Sequence, residues 1–123
     1  MKTFFDKTST AFFIIAGCIT AGTIAFTLAP KLALAQIFNL DYVPSDALII
    51  QHWGFMVFCL GVLMIVAAFR PHLRVAIASY AMIEKLMLVV LTLTYGQQAH
   101  FGQAAIIDGL MSIYLAGFLF SRR

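Results

Sequence analysis

Four long apolar runs, separated by short polar or proline-containing stretches, constrain this chain more than any other feature. They cover about residues 8–29, 46–69, 73–95 and 103–121. Because about 20 mainly apolar helical residues cross a bilayer core about 30 Å thick, each run is long enough to span a membrane. Hydrophobic residues make up 63% of the chain and charged residues 11%, and a water-soluble domain of this size cannot bury so much apolar surface. The sequence therefore predicts an all-α fold, a polytopic four-helix bundle in the lipid bilayer, with residues 1–123 as one transmembrane domain.

The segment between the first two runs, about residues 31–44, is too short and too polar to cross the membrane. It places Leu32 and Phe38 among polar neighbours, which is typical of a helix or turn in the membrane interface. An extended loop with a few buried aliphatic side chains is the other interpretation. Pro30 precedes the segment and predicts the end of the first helix, because proline removes a backbone hydrogen bond.

Basic residues are concentrated at one end of the predicted bundle. The residues expected at that end are Lys2, Lys7, Arg70, Arg74, Arg122 and Arg123, whereas Lys31 alone falls at the other end. Since cytoplasmic loops collect Lys and Arg, both termini are expected in the cytoplasm. The basic residues are scattered at helix ends and form no stripe that could follow phosphates, which argues against a nucleic-acid partner.

Small residues recur at spacings that place them on one face of a helix. They are Gly17, Ala21 and Ala25 in the first run, Gly54 and Gly61 in the second, and Gly109 and Ser112 in the fourth. Helices in lipid associate where small residues let their backbones approach closely. The sequence predicts that these residues pack the bundle, dock it against another membrane protein, or join two copies of the chain, and it leaves the division among these uses open.

Four ionisable side chains fall inside the predicted spans: His52, Glu84, Lys85 and Asp108. Glu84 and Lys85 lie near the middle of the third run, about 15 to 18 Å from either end at a rise of 1.5 Å per residue. A charge at such a depth costs about 2.5 to 3.5 kcal/mol on insertion scales, so these residues are functional candidates by default. Lys85 can extend along its helix to pair with Asp108, which leaves Glu84 neutral or paired with His52 or Tyr80.

Two interpretations of these residues stand side by side. In one, they form a buried polar network that fixes the alignment of the helices. In the other, they line a pocket that opens to the outer leaflet and takes a quinone headgroup, another small polar ligand or a proton. No cofactor is predicted beyond that quinone, and a haem or metal site is disfavoured because His52 has no second ligand at a recognisable spacing. The chain also shows no nucleophile with a nearby base and no phosphate-binding glycine loop, which disfavours an enzyme.

Three short stretches, residues 51–54, 67–74 and 81–85, carry a resemblance to known proteins. They are similar to a pattern in small four-helix bacterial membrane proteins of the DoxX-like kind. The resemblance covers about the second and third helices. It implies a protein of the bacterial inner membrane and, by analogy, a link to membrane redox systems, and it transfers no catalytic residue.

The sequence favours a non-catalytic role as an accessory or assembly subunit that packs against a larger membrane complex. The very short connections and the almost wholly apolar inner half of the bundle point to this role. One alternative is a small proton-coupled transporter in which Glu84 carries the proton. Another is a protein that binds a quinone or small ligand in the outer half of the membrane through His52, Glu84, Lys85 and Asp108.

Overall fold

The computed structural model describes residues 2–122, so that Met1 and Arg123 lie outside the described residues. The α-helices are α1 (Lys2–Ala21), α2 (Ile24–Leu28), α3 (Pro30–Ala33), α4 (Ala47–Phe69), α5 (Arg74–Thr94) and α6 (Gln98–Ser121). The segments long and apolar enough to cross a membrane are Lys2–Leu28, Pro44–Phe69, Pro71–Thr94 and Gln98–Ser121. These four spans confirm the predicted all-α four-helix bundle.

The first span consists of two helices, α1 and α2, joined by a turn at Gly22 and Thr23. The hydroxyl of Thr23 lies 2.9 Å from the Thr20 carbonyl oxygen and 3.0 Å from the Gly54 carbonyl oxygen, either of which can accept its proton. The second break falls at Ala29, whose backbone angles of φ −144° and ψ 70° lie outside the helical region. A residue before proline is disfavoured in the helical region, so Pro30 begins a new helix. The turn at Gly22 is a break that the sequence analysis does not predict.

The segment after Pro30 is helical as far as Phe38 and covers one end of the bundle. After α3, residues Leu34–Phe38 form a wider π turn, and Asn39 ends it in the left-handed region with φ 54°. Phe38 is buried and stacks against Phe26, with ring centroids 5.3 Å apart. The structure therefore shows the helical interpretation for the segment as far as Phe38, whereas residues 39–43 form no helix.

The fourth span begins at Gln98, about five residues before the predicted start. Gly96, with φ +64°, reverses the chain after α5, and the amide of Gln97 donates to the Thr92 carbonyl oxygen over 2.9 Å. His100 lies in the first turn of α6, where Nδ1 donates to the Phe38 carbonyl oxygen over 3.0 Å. The helix α6 thus begins in polar residues that precede the apolar run. The helix α1 does the same, since it starts at Lys2.

The bundle is built from two helix pairs, in which α1 and α2 pack against α4, and α5 packs against α6. Contacts between the pairs are fewer than those within each pair. We call the end that contains Lys2, Arg74 and Arg122 the basic end. The core shared by the two pairs fills the half of the bundle next to it; its fully buried members include Phe13, Met64, Ala78, Ala81, Leu115 and Phe118.

Arg74, at the start of α5, ties three helices together at the basic end. Its guanidinium donates to the carbonyl oxygens of Ala67 over 2.8 Å and Ala68 over 2.7 Å, at the end of α4. It also donates to the hydroxyls of Ser9 and Thr10 in α1, over 2.9 Å each. Helix ends leave their last carbonyl groups without partners inside the helix, and Arg74 satisfies two of those of α4.

The outer surface of the bundle is apolar. Large hydrophobic side chains project from every span, among them Leu28 at 77% exposure, Leu48 at 79% and Ile113 at 71%. Continuous apolar surface of this kind is unusual on a water-soluble monomer. Together with the four spans, it indicates that the bundle lies in lipid.

Candidate functional site

Four of the predicted small residues lie where α1 and α2 meet α4. A Cβ atom added to Gly17 would lie 2.8 Å from the Gly61 carbonyl oxygen, and one added to Gly61 would lie 2.6 Å from the Gly17 carbonyl oxygen and against the backbone of Ala21. A Cβ atom on Gly54 would lie 2.8 Å from the Thr23 carbonyl oxygen. These positions require glycine, because the backbone of one helix lies directly against the backbone of the other.

The other predicted small residues lie in looser surroundings. The nearest atom to a Cβ added at Gly109 is Cγ2 of Val89 at 3.8 Å, which is an ordinary contact. Ser112 is buried, and its hydroxyl donates to the Asp108 carbonyl oxygen over 2.8 Å within α6. Ala25 packs against the small cluster around Phe26. Close backbone approach is therefore a feature of the α1–α4 pair rather than of α6.

A cavity of about 630 Å³ lies between the two helix pairs, beyond the core of the basic end. We call it the central cavity. Its wall is mainly apolar, with side chains that include Ile19, Phe26, Val57, Ile83, Leu88 and Leu91. The ionisable and hydroxyl groups in the wall are Thr20, Thr23, Tyr80, Glu84, Lys85 and Asp108. A concave, mainly apolar space of about 300 to 1,000 Å³ with a few converging polar groups is typical of small-molecule sites.

Lys85 joins three helices at the wall of this cavity. The side chain starts from the middle of α5 and is only 2% exposed. Its ammonium donates to the hydroxyl of Thr20 in α1 over 2.9 Å and to Oδ1 of Asp108 in α6 over 3.4 Å. Oε2 of Glu84 lies 4.0 Å from the same nitrogen. One buried ammonium group therefore faces two carboxyl groups.

Glu84 is the member of this cluster with an unfilled hydrogen-bonding position. Its Oε2 atom is buried and has no hydrogen-bond partner within residues 2–122. A buried polar atom without a partner costs free energy comparable to that of a lost hydrogen bond. Since Glu84 also lines the central cavity, a molecule in that cavity can supply the missing partner.

His52 does not line the central cavity. It is exposed on α4 and lines a second hollow of about 610 Å³, which we call the lateral groove. Trp53, Tyr80 and Glu84 belong to both the groove and the cavity. Within residues 2–122 no hydrogen bond or ion pair joins Glu84 to His52 or Tyr80. The sequence-predicted set is thus divided, with Glu84, Lys85 and Asp108 together and His52 outside them.

Thr20 is the partner of Lys85 that sequence reasoning missed. It is 4% exposed and lies in the last turn of α1, just before the break at Gly22. A single threonine in an apolar helix is too common to stand out, because its hydroxyl can bond to its own helix. The nearby Gly22 and Thr23 would have been the only local signal of an irregular helix.

The groups available for chemistry are therefore an ammonium, two carboxyls and hydroxyls next to an apolar space. Within residues 2–122, no three His, Cys, Asp or Glu side chains come together in a group that could hold a metal ion. Comparisons with models of protein families, with curated proteins and with solved structures found no match to this chain.

Proposed function

We propose that this chain is a membrane protein that binds a small amphipathic molecule in the central cavity. The polar head of the molecule lies at Glu84, Lys85 and Asp108, and its apolar part lies along Phe26 and Leu88. One observation carries this proposal: a buried ammonium with two carboxyls forms part of the wall of an apolar cavity of about 630 Å³.

The unpartnered oxygen of Glu84 favours a binding site over a purely structural network. A network that only aligns helices is stable when all its members are satisfied, and a partly satisfied network is less stable than an apolar core. Lys85 donates a hydrogen bond to Asp108, whereas Oε2 of Glu84, 4.0 Å from the Lys85 ammonium, has no hydrogen-bond partner within the described residues. A ligand in the central cavity gives Glu84 a role that helix alignment does not.

Binding can be measured through the tryptophan of the protein itself. The chain contains a single tryptophan, Trp53, and its side chain lines the central cavity. The protein in nanodiscs of phosphatidylcholine is titrated with decylamine, decanol, decanoate and decylubiquinone while Trp53 emission is recorded. We expect a saturable change with at least one of these four compounds, after correction for their uptake by the lipid.

Two matched substitutions in α6 test whether the bound molecule occupies the central cavity. Ala104→Phe adds a ring to the cavity wall and should abolish the saturable change. Ile106→Phe places the same ring on the outer surface, where Ile106 is 66% exposed, and should leave the change intact. The absence of a saturable change with all four compounds in the unmodified protein would refute the proposed function.

We further infer that the basic end faces the cytoplasm, which would place the central cavity in the outer half of the membrane. The distribution of Lys and Arg supports this orientation, with Arg70, Arg74 and Arg122 at the basic end and Lys31 at the other. Reporter fusions at the carboxyl terminus test it, since a reporter active only outside the cytoplasm should stay inactive. The resemblance to DoxX-like proteins, and with it the bacterial inner membrane, stays a prediction.

A role as an accessory or assembly subunit is the alternative that the short connections support. Only residues 70–73 join α4 to α5, and residues 95–97 join α5 to α6. The native particle, extracted in mild detergent, should then have a larger mass and a defined composition. A particle that contains this chain alone would contradict this alternative. A proton-coupled carrier receives less support, because the core around Phe13 and Met64 closes the basic half.

A further inference from the structure

We propose that the ligand of the central cavity is a hydrophobic ammonium cation, whose charge pairs with Glu84. This inference rests on the proposed function and names the class of molecule that the cavity takes. It favours a cation over the quinone that the sequence analysis considers. The reasons lie in the hydrogen-bond donors, the charges and the aromatic wall of the cavity.

The protein already uses the strongest hydrogen-bond donor of the cavity. An ammonium group has three hydrogens and no acceptor. Lys85 donates one hydrogen to Thr20 over 2.9 Å and another to Asp108 over 3.4 Å, and Glu84 lies 4.0 Å from the same nitrogen. A quinone binds through its carbonyl oxygens, which are acceptors, so Lys85 could offer it only the one hydrogen that Thr20 and Asp108 do not accept, and it would bring no donor for Glu84.

The group that lacks a partner is an acceptor. Oε2 of Glu84 is buried without a hydrogen bond in the described part of the chain. When both carboxyls of the cluster are ionised, two negative charges face the single positive charge of Lys85, which leaves a net charge of −1. An ammonium ligand supplies both the missing donor and the missing charge, whereas an alcohol or a quinone supplies no charge. When no ligand is bound, a single proton on either Glu84 or Asp108 likewise brings the net charge of the cluster to zero.

Aromatic side chains in the wall also suit a cation. Phe26, Phe38 and Trp53 all line the central cavity. The ring of Phe26 is 5.2 Å from that of Trp53 and 5.3 Å from that of Phe38, measured between centroids. Of these three rings, Trp53 lines the lateral groove together with Glu84, and the face of a tryptophan ring attracts organic cations, more strongly where water is excluded.

The lateral groove gives such a molecule a route from the lipid. The groove lies between α4 and α5, and it shares Trp53, Tyr80 and Glu84 with the central cavity. Because Glu84 itself lines this groove, an amine dissolved in the lipid can reach its carboxyl group from the side of the bundle.

The test compares head groups on one tail. Titration of the protein in phosphatidylcholine nanodiscs, followed by Trp53 emission, gives a Kd for decylamine, decanol, decanoate and decylubiquinone. We expect decylamine to bind about tenfold to a hundredfold more tightly than decanol, as a charge-assisted hydrogen bond gives. Equal or tighter binding of decanol, decanoate or decylubiquinone would overturn the inference and leave the proposed function standing. The absence of saturable binding by any of the four would overturn both.

Two variants locate the cation. Glu84→Gln keeps the size of the side chain and removes its charge, and it should weaken decylamine binding about tenfold or more, by a larger factor than it weakens decanol binding. Asp46→Asn is the matched control, because Asp46 is an exposed carboxyl outside the cavity. Loss of decylamine binding in Asp46→Asn, or full binding in a folded Glu84→Gln protein, would contradict the assignment. The comparison of head groups on the unmodified protein decides the question even if Glu84→Gln does not fold.

Discussion

Replacing Gly61 by alanine tests the close contact between α1 and α4. The new methyl group would lie 2.6 Å from the Gly17 carbonyl oxygen and 2.7 Å from Cα of Ala21. Non-bonded carbon contacts are optimal at about 3.5 to 4.0 Å, so α1 would have to move away by about 1 Å. Overpacking of this kind costs about 1 to 3 kcal/mol. Because the obstacle is backbone rather than a movable side chain, we expect the free energy of unfolding to fall by about 2 to 3 kcal/mol.

Gly109→Ala is the matched control. The added methyl group would lie 3.8 Å from its nearest neighbour, Cγ2 of Val89, which is an ordinary contact distance. Alanine in a helix is favoured over glycine by about 0.5 to 1 kcal/mol. The same substitution should therefore leave the stability unchanged or raise it when it is made in α6.

The two variants and the unmodified protein are unfolded in mixed micelles by increasing the fraction of sodium dodecyl sulfate. Far-ultraviolet circular dichroism and Trp53 emission report the transition. We expect the transition of Gly61→Ala at a clearly lower fraction and that of Gly109→Ala at or above the unmodified value. Equal transitions for the two variants would refute the reasoning from backbone contact.

Three further predictions use the same titration. Lys85→Met should lower the free energy of unfolding by about 3 to 5 kcal/mol, because two carboxyls lose their counter-charge. Adding Asp108→Leu to this variant should recover part of the lost stability, and a purely additive loss in the double variant would contradict the pairing. Arg74→Met should lower it by about 2 to 3 kcal/mol, as carbonyl groups of α4 lose a charged donor, whereas Arg70→Met on an exposed residue should change it by less than about 0.5 kcal/mol. Tyr114→Phe removes a hydrogen bond of 2.6 Å to a threonine hydroxyl and should lower it by about 1 kcal/mol, with no change taken as evidence against that bond.

The fold was predictable because bilayer thickness sets the length of each apolar run. The ends were less so, since a helix does not stop where its side chains become polar. This is why α6 begins at Gln98 and α1 at Lys2. At the turn after Gly22, the Thr23 hydroxyl lies 3.0 Å from the Gly54 carbonyl oxygen of α4, a contact between residues distant in sequence that the apolar pattern of the first run does not show.

Part of the candidate site could be predicted from the sequence. Lys85 was expected to extend along its helix to pair with Asp108, and the structure places their charged atoms 3.4 Å apart. His52 was grouped with these residues, yet it lines the lateral groove. The reason is that α4 is apolar on all sides, so its sequence does not show which face turns inward. Thr20 was missed because a hydroxyl at one position carries no periodic signal.

The position of Glu84 and Lys85 also bears on how the chain enters the membrane during synthesis. Each such charge costs about 2.5 to 3.5 kcal/mol at the centre of an inserting helix, so α5 is a poor substrate for insertion by itself. Asp108, which pairs with Lys85, lies on the next helix, and α6 follows α5 after three residues. We therefore expect the insertion machinery to hold α5 until α6 has emerged from the ribosome and to release the two as a hairpin.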